Sequence, residues 1–501
     1  MSTVRPRDQW SSQCDFIVSC IGYSVGLGNI WRFPYMCYKH GGGTFLLPYT
    51  VMLLAVGVPM YVMELALGQY AGLGPNKVCQ KMSPLFSGLG YAMLLMTVFV
   101  CFTYNVVIAW AIFYAAASFT SELAWSRGIR TLGKIIHFTV IFPYFVLIVL
   151  FVLTAFLDGA VEGIRFFVTP DYHQVLSVSV WLDAASQVFF SLGCSMGGLI
   201  TLASFNRFKN NCMRDAIVVG VVNTLTSVLF GLIVFSMLGF MASQVNKDVA
   251  EVLKTDLGLA FIVYPETLSH TSVAPLWSAL FFSMVITLGL DSQIPMVETL
   301  TTAVSDEWPR VGERKAAVVV VTCAVFFAAG LSMCFNGGVL VFALVDHYSV
   351  SYSLFAIALV EVLVAAWVFG AERLLELMQK DMGITIPTPL RLYWLVAWKY
   401  LIPLVLACVL VLALLHHDPV SYRAVDGLHP FPAWADHIGL ALAASPVLLL
   451  VAVGVGVAGV QLWRGDPLAT LLCPTADWGT ATPVNRGVVN EGFERTGQPM
   501  C

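Results

Sequence analysis

The segment Gly22-Tyr-Ser-Val-Gly-Leu-Gly-Asn-Ile-Trp-Arg-Phe-Pro-Tyr35 combines residue types that rarely share an apolar stretch. It lies in a run from about Phe16 to Tyr38 that is long enough to cross a bilayer. Its glycines, asparagine, arginine and proline oppose a continuous lipid-facing helix. Backbone that leaves the helix at membrane depth must be buried in protein or line a cavity. A second apolar run, 182–206, is interrupted by Gln187, Ser191, Gly193, Ser195, Gly197 and Gly198. Two spans broken at similar positions in successive helix groups predict an inverted-repeat transporter, with half-helix ends meeting near the midplane. One such end offers free N–H groups and a positive dipole to a carboxylate. The opposite end offers carbonyl oxygens to a cation, and an oxygen-only site suits sodium.

Side chains near the breaks extend this chemistry. Asn29, Ser191 and Asn223 are neutral oxygen donors inside spans, and Leu288-Gly-Leu-Asp-Ser-Gln293 adds Asp291 and Ser292 in mid-span. An intramembrane carboxylate is costly and marks a site. Tyr49, Gln187, Ser191 and Ser227 can donate N–H or O–H groups to an anion. Asn223 and Ser227, four apart, share a helical face. No span or loop offers a nucleophile–base pair or a metal cluster, so an enzyme reading has little support. The twelve cysteines are scattered without metal-ligand spacing and read as small packing residues.

Charged residues make up 11% of the chain, against roughly 25% in a soluble domain. With 58% apolar residues, this is the composition of an all-α polytopic membrane protein. A net charge of −4 gives no support to nucleic-acid binding. The polar start, Met1 to Trp10, is not a cleavable signal peptide. Eleven spans are expected: 13–37, 44–68, 88–118, 135–156, 182–206, 216–241, 274–300, 317–335, 339–369, 393–416 and 437–462. Arg5 and Arg7, with basic clusters near 77–81, 127–134, 207–214 and 310–315, put the N-terminus in the cytoplasm. The polar tail 464–501 reads as disordered.

The topology then conflicts with itself. The third span ends outside near Ser118, whereas the next starts at Lys134 in a basic segment expected inside. The linker Phe119–Gly133 is too polar for a span, so either the charge rule fails here or a helix is missing between about Trp125 and Arg127, and the missing helix is the expectation. The roughly 16 residues from Ser118 to Lys134 reach about 50 Å when extended, enough to cross, but only with backbone groups unsatisfied or shielded by protein.

GYSVGLGNIWRFPY at 22–35, GGGTFLLPY at 41–49, YNVVIAW at 104–110, SQVFFSLG at 186–193 and LGLDSQ at 288–293 carry a family resemblance. Over roughly residues 7–463 the chain resembles the neurotransmitter:sodium symporter (solute carrier 6) family, which cotransports amino acids or amines with sodium and usually chloride. The resemblance implies inverted five-helix repeats with broken helices 1 and 6. The first repeat spans 13–156, an outer loop follows at 157–181, the second repeat spans 182–370, and two further helices lie within 371–463. It also implies one sodium site at Ser24, Asn29, Ser191 and Asn223. A second would use carbonyls of Gly22, Val25 and Leu288 with Asp291 and Ser292. Chloride would bind at Tyr49, Gln187, Ser191 and Ser227, the last standing where chloride-independent bacterial relatives carry a carboxylate. Substrate would lie against Tyr23, Leu27, Gly28, Tyr104, Phe190, Gly193 and Met196. Arg32 and Asp346 would form the outer gate, and Arg7, Trp10 and Asp306 the inner gate.

Amine-transporting relatives carry an aspartate where this chain has Gly26, so an amino acid is the expected substrate. SLGCSMGGLITLASFN at 191–206 and CPTADWG at 473–479 resemble the glycine and proline transporters, whereas LGLDSQ and SFTSELAW resemble the GABA, taurine and creatine branch. Met196 replaces the tryptophan that narrows glycine-transporter pockets, and Phe205 replaces a tyrosine. A glycine- or proline-like substrate at the plasma membrane is the first expectation, and a GABA-like one the second. Relatives carry a long outer loop and helix 4 where SELAWS here meets RGIRTLGK, and no Asn-x-Ser/Thr sequon occurs in this chain. A transport-inactive form that associates with full-length relatives and retains them inside the cell is therefore the alternative.

Overall fold

The computed structural model describes residues 9–118, 135–252, 263–269, 273–335, 337–350, 352–415, 421–424 and 427–478. Arg7, the linker 119–134 and the tail beyond 478, on which several expectations fall, lie outside the described residues. Among those described, seven helices are long and apolar enough to span a bilayer: Gly42–Ala71, Pro84–Ala115, Cys212–Val245, Ala274–Glu307, Gly338–Val368, Thr388–Leu415 and Ala433–Arg464. The other four expected spans are the two interrupted ones, the helix Ile135–Ala155 and the shorter apolar helix Lys315–Leu331.

The elements that carry the site are labelled as follows. The first broken span is α1 (Gln13–Ser24) and α2 (Phe33–Lys39), followed by α3 (Val58–Ala71), α4 (Gly88–Ser118) and α5 (Ile135–Ala155). The second broken span is α6 (Val178–Leu192) and α7 (Gly198–Ser204), followed by α8 (Cys212–Val245), α9 (Ala274–Glu307) and α10 (Tyr352–Leu363). A capping box starts α1: Ser12 Oγ accepts from the Asp15 N–H at 3.2 Å, and Asp15 Oδ2 accepts from the Ser12 N–H at 2.9 Å.

Burial orders the bundle. In α3 every residue from Pro59 to Ala71 is buried, the mark of a helix enclosed by protein on all sides. The last span, Ala433–Arg464, buries only Ala435, Gly439, Ala443 and Pro446 and so stands at the periphery. α3 lies directly on α7 because Gly68 has no side chain: a Cβ there would sit 2.2 Å from Ile200 O. α9 runs along α4 and touches α1 and α5, and α8 packs on α3 and α5. The half-helices are thus surrounded by intact ones.

Two features depart from the sequence expectations. A small antiparallel hairpin pairs Ser421–Ala424 with Gly427–Pro430 in an otherwise helical chain. The start of the tail is ordered rather than disordered. Leu468–Leu472 form a 3₁₀ turn, Ser83 Oγ donates to Leu471 O at 3.1 Å, and the Thr475 N–H donates to Lys81 O at 2.9 Å. Trp478, 4% exposed, packs between Tyr70 and Phe369 at ring distances of 5.9 and 5.4 Å. That aromatic pocket is assembled from segments some 300 residues apart and leaves no local sequence signal.

Candidate functional site

The two breaks arise differently. α1 stops at Ser24, Val25 turns extended (φ −89°, ψ 96°), and the chain re-enters a helix through a π turn at Gly28–Arg32. Between α6 and α7 the backbone takes left-handed conformations at Gly193 (φ 66°), Ser195 (φ 61°) and Gly197 (φ 76°). Glycine adopts these at little cost; Ser195 does not.

Between the breaks lies a polar cluster. Asn29 Nδ2 donates to Asn223 Oδ1 and Ser227 Oγ, both at 2.8 Å, and lies 3.4 Å from Ser191 Oγ. Asn223 Nδ2 donates to Ser191 Oγ at 2.9 Å, and Asn29 Oδ1 accepts from the Gly26 N–H at 3.0 Å. With Asn223 O, also 3.4 Å away, four oxygens converge on one amide nitrogen. Ser24 stands beside it, its Oγ 3.4 Å from Tyr61 Oη and from Leu192 O.

Three members of the second expected set, Gly22, Leu288 and Ser292, lie together. Ser292 Oγ donates to Gly22 O at 3.0 Å and lies 3.4 Å from Leu288 O. Val25, the extended residue that follows α1, is buried. Asp291 and Gly22 both line a vestibule of about 330 Å³ that reaches Gln9 and Trp10 on the N-terminal face. A Cβ on Gly26 would fall 2.5 Å from Ser292 Oγ, so a side chain there displaces this group.

The anion candidates flank the first cluster. The buried Tyr49 hydroxyl faces Ser227, Thr224 and Ser191 without completing a hydrogen bond. Gln187 Nε2 donates to Gly28 O at 3.2 Å, while its Oε1 is buried and unpartnered. A buried orphan hydroxyl is costly, and a bound anion would satisfy it. The sequence reading does not include Thr224; its place beside Asn223 and three residues before Ser227 is the signal that could have found it.

Tyr23, Gly28, Tyr104, Phe190, Gly193 and Met196 line a pocket of about 10 Å³, room for roughly one water. Val100 and Met296 line it too and were missed, because apolar residues in spans carry no functional signature. Leu27 is not in the lining; it packs towards Gly289. The Tyr23 ring lies across the second break, its hydroxyl donating to Gly193 O at 3.2 Å. A Cβ on Gly193 or Gly198 would sit 2.4 Å from that side chain. The rings of Tyr104 and Phe190 are 6.4 Å apart.

The expected gates are partly assembled. Arg32 stacks over Phe190 at 4.5 Å and donates to Ser186 Oγ at 3.0 Å. Asp346 is within electrostatic range of Arg32, but the two make no ion pair here. On the N-terminal face Trp10 Nε1 donates to Leu202 O at 3.0 Å and its N–H to Phe205 O at 3.1 Å. Phe205 meets Trp10 edge-on at 6.3 Å, so this contact needs no tyrosine hydroxyl. Asp306 accepts from the Gly74 N–H at 2.7 Å.

Two broken spans, enclosed by intact ones and meeting at clustered oxygens and a closed pocket, define a multi-pass membrane transporter. The sequence matches the Sodium:neurotransmitter symporter family over residues 7–127 and 126–458, and the chain belongs to that family. It is similar to the Xenopus laevis "Sodium- and chloride-dependent glycine transporter 1", 33% identical over 96% of this chain and 89% of the relative. Similarity to the Bos taurus "Sodium- and chloride-dependent creatine transporter 1" is 36%, over 89% of this chain and 82% of the relative. The 579 aligned positions with the glycine transporter exceed the roughly 480 residues supplied by 96% of this chain. That relative therefore carries on the order of 100 residues without a counterpart here, and the two blocks of the family match meet at 126–127.

Proposed function

We propose that the chain is a sodium- and chloride-coupled symporter of a small neutral amino acid, glycine- or proline-like, acting by alternating access at the plasma membrane with its N-terminus in the cytoplasm. The observation that carries this reading is the convergence of Asn29, Ser191, Asn223 and Ser227 between the two breaks, beside a closed pocket. Sodium takes the Asn29 cluster and the Gly22–Leu288–Asp291–Ser292–Val25 group. Chloride takes the Tyr49 hydroxyl with Gln187, Ser191 and Ser227, supplying the negative charge that balances sodium.

The substrate α-carboxylate faces the first break. Gly26 leaves no counter-charge for an amine lacking a carboxylate, and a Cβ there would fall 2.5 Å from Ser292 Oγ, which would have to move. A pocket of about 10 Å³ admits a substrate only after Tyr23, Phe190 or Met196 moves, so binding and gating are one event. Arg32 leaves Ser186 to meet Asp346 as the outer side closes, and rupture of the Trp10 contacts opens the inner side.

The creatine-transporter relatives and the LGLDSQ motif favour a second reading, a GABA- or taurine-like substrate. The residues absent near 126–127 include the outer loop and fourth helix, which favours a third: a transport-inactive form that retains full-length relatives. Sodium-dependent uptake of labelled glycine, proline, GABA and creatine into cells expressing the chain tests all three. Uptake lost when choline replaces sodium supports symport, and the ranking of substrates names the branch. No uptake, with intracellular retention and co-precipitation of a full-length relative, overturns the transport reading.

A further inference from the structure

Ser195 is the one non-glycine residue at the second break with a left-handed backbone, and two carboxylates hold it there. The Ser195 N–H donates to Glu64 Oε1 at 2.7 Å, and its hydroxyl donates to Glu361 Oε2 at 2.7 Å. Glu64 comes from α3 and is fully buried; Glu361 comes from α10 and is 2% exposed. Neither belongs to the proposed sodium or chloride sets. Among the described residues, Glu64 Oε2 and Glu361 Oε1 have no hydrogen-bond partner, and neither residue forms an ion pair.

The titratable groups that face the pair are Cys79 from the helix Pro75–Met82, Cys194 of the break and Tyr23 of α1, with Cys101 and Tyr104 of α4 behind Tyr23. None can supply a positive charge. Two carboxylates bracketing one residue in an apolar interior repel each other, and a second buried negative charge costs more than the first. A proton on one of the two orphan oxygens removes the repulsion and keeps both bonds to Ser195.

We propose that Glu64 and Glu361 form a proton-binding site that holds one shared proton behind the substrate pocket. The site is tied to the pocket through the backbone. Gly193 and Met196, on either side of Ser195, line the pocket, and Met196 O accepts from Thr97 Oγ at 2.6 Å. Losing the proton sets two charges against each other across Ser195, loosening the break that shapes the pocket. The consequence for transport rests on the function proposed above; the proton site does not.

The test is an infrared alkaline titration of the purified full-length chain, read at the carbonyl stretch of a protonated carboxylic acid. The expected result is a buried-acid band near neutral pH that disappears in the Glu64→Gln/Glu361→Gln double variant. The amides replace the carboxyls isosterically and can still accept from Ser195. In Ser195→Ala the band persists but shifts, because Glu361 loses its hydroxyl donor; this variant keeps the test decisive should the double variant fold poorly. Absence of the band in the parent chain, its persistence in the double variant, or its replacement by sodium-sensitive carboxylate bands overturns the proposal. In cells, uptake by the parent falls about tenfold per pH unit on the alkaline side, the slope of one proton, and Glu361→Gln flattens that limb. An unchanged pH profile in that variant also overturns it. The infrared experiment needs no transport, so an absence of uptake refutes the transport reading alone.

Discussion

Ser227→Glu converts a mobile anion site into a fixed one. Ser227 is fully buried, receives an Asn29 N–H at 2.8 Å and faces the Tyr49 hydroxyl. A carboxylate at this position accepts from both donors. Each charge-assisted bond contributes about 1.5–3 kcal/mol, and each 1.4 kcal/mol is about a tenfold change in affinity. Replacing chloride with gluconate should therefore weaken the apparent sodium affinity of the parent by about 10- to 100-fold, the coupling being reciprocal between the ions. In Ser227→Glu the same replacement should change it less than about twofold, because the charge is already present. The larger side chain costs about 1–3 kcal/mol of packing strain, so surface expression is measured in parallel. The assay is sodium-dependent uptake across a sodium titration with and without chloride. A variant that reaches the surface, transports, and keeps the parent's chloride requirement refutes the anion-site assignment.

Asp291→Ala removes the carboxylate between the vestibule and the Gly22–Ser292 group, and sodium affinity should fall about 10- to 100-fold; unchanged sodium dependence of uptake excludes Asp291 as a ligand. Gly198→Ala places a methyl 2.4 Å from the Tyr23 hydroxyl, and the resulting strain of about 1–3 kcal/mol should cut substrate affinity about tenfold or more, measured by saturation uptake. Trp478→Ala empties the pocket between Tyr70 and Phe369 and should cost about 3 kcal/mol locally, read as faster proteolysis of the tail. Nearby, burial opposes ionisation of Asp477, but the hydrogen bond and charge of Lys81, with the Thr475 hydroxyl, hold its carboxyl below the usual range. A lowered value in the folded state means this contact contributes above the ordinary aspartate range, about pH 4, and is lost as pH falls through the folded value. Asp477 is 60% exposed, so Lys81→Ala should loosen the tail by less than about 1 kcal/mol, far less than Trp478→Ala in the same proteolysis assay.

The sequence by itself determined the membrane class and the two broken spans, and it singled out the polar residues from which the proposed site is built. Glycines, asparagines and a carboxylate stand out against an apolar background because each is costly in a lipid-facing helix. It also located the discontinuity near Trp125–Arg127, since charge bias and span polarity impose independent constraints on the same linker. Tertiary structure alone decided what meets what. Leu27 and Met296 look alike in sequence, yet one packs by Gly289 and the other lines the pocket, because helix rotation is set by neighbouring helices. Glu64 and Glu361 lie almost 300 residues apart, and no local pattern pairs them; the left-handed turn at Ser195 brings both carboxylates onto one residue. The order at Trp478 has the same origin: a short polar tail folds where an aromatic pocket built from distant segments accepts it. Side-chain type is fixed locally, but burial and partnership are properties of the packed bundle.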